Sequence, residues 1–66
     1  MNVNADKIKI AMARACMNSG DLAKAAGISG NGLQVIFKRG RASTATIGKI
    51  ARALSMDVTE ILELEE

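Results

Sequence analysis

At 66 residues the chain has room for one domain, with a core thinned by its high ratio of surface to volume. With one cysteine (Cys16) and no histidine it has neither a disulfide framework nor the ligands of a structural zinc site. The net charge of +2 hides an asymmetry: residues 1–56 hold nine basic and two acidic residues, a net +7, and residues 57–66 hold five acids and no base.

The apolar residues are chiefly Ala, Ile, Leu and Met, with one Phe and no Trp, Tyr or Pro. These are helix formers, and the aromatic residues that favour strands are scarce. No apolar run approaches the ~20 residues that span a bilayer. Met1 to Asn4 lack the basic and apolar regions of a signal peptide. The expectation is an all-α protein, soluble and cytoplasmic, without metal, cofactor or membrane contact.

Residues that accept hydrogen bonds from a helix's first turn recur at even intervals: Asn4, Asn18, Ser29, Ser43 and Asp57. Each precedes apolar residues at helical spacing, so five helices are predicted. The first covers 5–16, with Ile8, Ala11, Met12 and Ala15 on one face. The second covers 19–26, with Leu22, Ala23 and Ala26 inward, and ends at Gly27. The third covers 30–38, with Leu33 and Ile36 inward. A loop from Arg39 to Ala42 leads to the fourth, 44–54, with Ile47, Ile50, Ala51 and Leu54 inward. The fifth covers 58–63, with Val58, Ile61 and Leu62 inward. Asp21 three residues after Asn18, and Glu60 three after Asp57, complete two capping-box patterns. Cys16 reads as a small buried apolar residue, and Gly48 as a close-packing point against another helix.

The second and third helices meet at Ala26-Gly27-Ile28-Ser29, a turn of the length that joins a helix-turn-helix unit. Ala23 is small where the two helices cross. Gly27 supplies a backbone conformation that side chains resist. Leu33 and Ile36 anchor the third helix and turn its opposite face outward. The motif spans about residues 19–38 of one domain covering 1–66.

Two segments, Asp21-Leu22-Ala23-Lys24-Ala25-Ala26-Gly27-Ile28-Ser29 and Ile47-Gly48-Lys49-Ile50-Ala51-Arg52-Ala53-Leu54, resemble the Cro/repressor helix-turn-helix domains of bacteria and their phages. The short stand-alone members, whose last residues read much like Ile61-Leu62-Glu63-Leu64, are the most similar. The resemblance covers residues 4–64. It implies a five-helix fold, operator binding as a transcriptional regulator or repressor, and a homodimer.

Carried onto this chain, the resemblance makes Gly30, Asn31, Gln34, Val35 and Lys38 the base-reading positions. The DNA-backbone positions are Ser19 and Ser29 at the starts of the motif helices, and Arg39 and Arg41 in the loop. The chemistry agrees in part. Asn and Gln pair with adenine in the major groove, an apolar side chain such as Val35 can touch a thymine methyl, and a basic cluster suits phosphate. Gly30 and Gly32 beside Asn31 lower helix propensity, through either a frayed first turn or close approach to DNA. Apolar residues left over near the end, Ile61, Leu62 and Leu64, and Phe37 beside Ile36, are the candidates for a dimer contact. An antitoxin or antirepressor built on the same fold is the alternative. No constellation of catalytic residues is present, so no enzyme is expected.

Overall fold

The computed structural model describes residues 2–62. Four α-helices follow one another among them: α1 (Ala5–Arg14), α2 (Ser19–Ala26), α3 (Gly30–Arg39) and α4 (Thr44–Ala53). All five predicted caps are formed. Asn4 Oδ1 accepts the Lys7 N–H at 3.1 Å, Ser29 Oγ the Gly32 N–H at 2.9 Å and Ser43 Oγ the Thr46 N–H at 3.3 Å. At Asn18 the box is reciprocal: its Oδ1 accepts the Asp21 N–H at 2.8 Å, and Asp21 Oδ2 accepts the Asn18 N–H at 3.1 Å.

The predicted fifth helix is corrected. Asp57 and Glu60 form their capping box, but only a 3₁₀ turn follows, Val58–Glu60. The backbone just beyond pairs elsewhere: the Ile61 carbonyl accepts the Asn4 N–H at 2.8 Å, and Leu62 forms an antiparallel bridge with Val3. The Thr59 N–H and hydroxyl donate to Asp57 Oδ1 and hold its carboxyl below the usual carboxylate range. A group depressed in this way favours the fold at neutral pH, and its contribution is lost as pH falls through the lowered value.

One pattern explains the core. Each cap is preceded by an apolar residue and followed, four positions on, by another: Val3 and Ile8, Met17 and Leu22, Ile28 and Leu33, Ala42 and Ile47, Met56 and Ile61. These are the positions of a hydrophobic staple, which fixes the angle at which the chain enters a helix. Every member lies in the core or against it. Five of the six largest fully buried side chains are the later members of these pairs, with Ile50 the sixth, so the caps and the core are set by one register.

The helix exits are also alike. The Met17, Ile28 and Met56 N–H groups reach back to Met12, Ala23 and Ala51 carbonyls at 2.9–3.0 Å, closing the helix ends in Schellman fashion. Each closure needs a left-handed residue, supplied by Cys16 (φ 56°), Gly27 (φ 72°) and Ser55 (φ 53°). Only Gly27 adopts that conformation without steric cost. Cys16 is thereby placed at an exposed corner, contrary to the buried position expected of it.

Gly48 is likewise corrected. A methyl group there would meet nothing within 4 Å, so no close helix contact requires glycine. At Gly32 it would stand 2.9 Å from Ser29 Oγ, where glycine leaves room for the cap. The same substitution should therefore act differently at the two sites. Gly48→Ala is expected to stabilise by about 1 kcal/mol, raising Tm by roughly 4–8 °C. Gly32→Ala should gain about as much in propensity and lose about as much from the displaced cap, leaving Tm nearly unchanged. Thermal unfolding followed by circular dichroism checks both, and an equal rise at Gly32 would show that the cap contributes nothing.

Candidate nucleic-acid interface

The motif helices take the arrangement their residues require. Ala23 is buried where α2 packs on α3, and Leu22 and Leu33 are fully enclosed. With Leu33 and Ile36 turned inward, Gly30, Asn31, Gln34, Val35 and Lys38 are all exposed along the other side of α3. Positions 31, 34, 35 and 38 fall on one stripe at helical spacing. This stripe carries amide, apolar and basic groups and no carboxylate. Val35 is 39% exposed, one of three large apolar side chains left open among the described residues.

Arg39 ends α3, Gly40 turns the chain in a left-handed conformation (φ 68°), and Arg41 follows, exposed. This loop is fastened at its base. The Val3 N–H donates to the Gly40 carbonyl at 2.9 Å, and Asn2 forms an antiparallel bridge with Arg41. Residues 2–4 thus form a strap between the basic loop and residues 61–62, with the Val3 side chain buried in the core. Sequence reasoning missed the strap. The available signal was Val3 itself, apolar immediately before the Asn4 cap.

The helix starts differ in charge. The first turns of α1 and α2 hold Asp6 and Asp21, whereas those of α3 and α4 hold no acid. The partial positive charge at the last two helix N-termini is therefore uncompensated. Ser29 Oγ accepts from Gly32, which leaves its own O–H free to donate. Ser19 is half-buried and opens α2, but the capping residue is its neighbour Asn18.

Phe37 is partly buried against the core, and Lys9 Nζ stands over its ring, 5.5 Å from the centroid. That distance suits a cation–π contact and sets one more positive charge beside α3. Ile61 is fully buried and Leu62 nearly so, both within the protomer's own core. They are not surplus apolar surface, which corrects the reasoning that offered them for a dimer contact. Leu64 lies outside the described residues. Among the described residues no helix is long and apolar enough to cross a membrane, and no three Cys, Asp or Glu side chains gather where they could hold a metal ion.

No curated protein and no solved structure matches the chain. A family model described as the Cro/C1-type HTH DNA-binding domain matches residues 7–66. That span includes all four helices apart from the first two residues of α1, and the all-helical arrangement agrees with it. The chain belongs to the Cro/C1-type helix-turn-helix DNA-binding domain family.

Proposed function

We propose that residues 1–66 act as one sequence-specific DNA-binding unit, a cytoplasmic transcriptional regulator that occupies a palindromic operator as a homodimer and catalyses no reaction. The observation that carries this reading is the outward stripe of α3, exposed along its length, free of acids and continuous with the basic Arg39–Arg41 loop. In this reading α3 enters the major groove. Asn31 and Gln34 bond to base edges, Val35 meets a thymine methyl, Gly30 lets the backbone come close, and Lys38 reaches the groove's edge. Phosphates are held by Arg39 and Arg41, by the Ser29 hydroxyl and by Ser19 at the start of α2. Two copies on a two-fold axis would place their reading helices about 34 Å apart, one turn of DNA.

Selection of bound duplexes from random DNA identifies the site, and two variants then separate the roles. Asn31→Ala is expected to cost about 1–3 kcal/mol on the selected site and little on a scrambled duplex. Arg41→Ala should weaken both duplexes alike and reduce the salt slope by about one unit per subunit. The strap holds the loop through Val3 and Gly40, so losing the Arg41 side chain leaves the loop in place. Both side chains are exposed, and melting temperatures should stay close to wild type. Equal losses on both duplexes for Asn31→Ala would show that Asn31 reads no base.

A further inference from the structure

α1 presents a second face that the core does not use. Ile8 and Met12 point into the protein, but Ile10 is 53% exposed, the most open large apolar side chain among the described residues. It stands beside a groove of about 630 Å³ between α1 and the segment that follows α4. Ala11, Leu54 and Met56 give the groove an apolar floor, and Leu54 and Met56 are half-buried. Its banks are charged, with Lys7 and Arg14 on the α1 side and Glu60 opposite. Among the described residues no ion pair joins these groups within the protomer. Val58, in the same 3₁₀ turn as Glu60, is the third exposed large apolar residue.

We infer that this groove is where two copies of the chain pair. A two-fold interface sets one surface against itself, so that surface must carry both halves of every contact. This one does. It has a projecting apolar side chain and an apolar recess that can receive its counterpart, and it has basic and acidic banks that exchange partners across the axis. Neither the recess nor Ile10 belongs to the outward stripe of α3, so pairing here leaves both reading faces open. The inference rests on the homodimer in the proposed function and names its surface, which the burial of Ile61 and Leu62 moves away from those two residues.

Sedimentation equilibrium on the full chain, from about 1 to about 100 µM, tests it. The wild type is expected to associate reversibly to a dimer. Ile10→Asp should weaken association at least about tenfold, as loss of a central anchor does, with unchanged far-ultraviolet circular dichroism. Glu60→Gln keeps an acceptor for the Asp57 N–H and removes the charge, so it should weaken association less, and the loss should shrink at high salt. Removing residues 63–66 should leave association unchanged. Dimers unaffected by Ile10→Asp, dimers lost only with residues 63–66, or a wild type monomeric throughout would each overturn the assignment. Binding to a single half-site duplex keeps the two readings apart. A monomeric Ile10→Asp protein should still bind it as the wild-type subunit does. A chain that pairs through the groove but binds no DNA would sink the function while leaving the interface standing.

Discussion

Raising the salt concentration from about 50 to about 200 mM is expected to lower affinity for the selected duplex by about 10³ to 10⁵-fold. Each phosphate met by Lys or Arg releases condensed counterions, and the entropy of that release shrinks as salt rises. A dimer touching about 6–10 phosphates should give a log–log slope of roughly −5 to −9. The chain is equipped for such contacts. Its nine basic residues all precede residue 57, and Lys38, Arg39 and Arg41 are exposed beside the reading stripe, with Lys9 held nearby over Phe37. Five acids follow in residues 57–66, and Glu60 lies on the bank of the α1 groove. Fluorescence anisotropy at four or five salt concentrations measures the slope. A slope near zero on the best duplex would remove DNA binding from the proposed function and favour a protein partner on the same fold.

Ile61→Ala should be the most damaging single truncation near the end of the chain, at about 2–5 kcal/mol. The side chain is fully buried, and it underlies the point where the Ile61 backbone carbonyl accepts the Asn4 N–H of the strap. A domain of this size rarely has more than about 3–5 kcal/mol in all, so the variant should be largely unfolded at physiological temperature. Urea titration followed by circular dichroism gives the loss. Its dependence on concentration assigns the cause. A core role makes the loss the same at every protein concentration, whereas a residue acting at the subunit contact would cost little in the dilute monomer and more as concentration rises and the wild type gains from pairing. Ile10→Ala, at an open position, should cost little in the dilute monomer. An Ile61→Ala protein that melts near wild type would show that the last segment packs less firmly than its burial indicates.

The local elements were legible because their causes are local. Asn4, Asn18, Ser29, Ser43 and Asp57 each reach a backbone N–H two or three residues away, so their spacing alone set where the helices begin. Gly27 was legible for the same reason, since the left-handed closure of α2 depends on no distant residue. The outward stripe of α3 followed from helical periodicity once Leu33 and Ile36 were turned inward.

Tertiary structure decided the rest, where one segment had several partners to choose from. Residues 58–63 have the cap and the spacing of a helix, yet the strap at Asn2 to Asn4 engages the backbone of residues 61–62, where the Asn4 N–H takes the Ile61 carbonyl and Val3 bridges Leu62. That pairing joins positions almost sixty residues apart, so no window along the chain reveals it. Ile61 and Leu62 lie in the core beside it, and separate bonds from Asn2 and Val3 of the same strap fasten the Arg41 loop. Gly48 and Cys16 depart from what their residue types suggest for a related reason. Whether a glycine is needed depends on what stands opposite it in space, and α4 leaves that side open. Cys16 looks apolar by type, but closing the end of α1 required a left-handed residue at that corner, and the geometry of the turn placed its side chain in solvent.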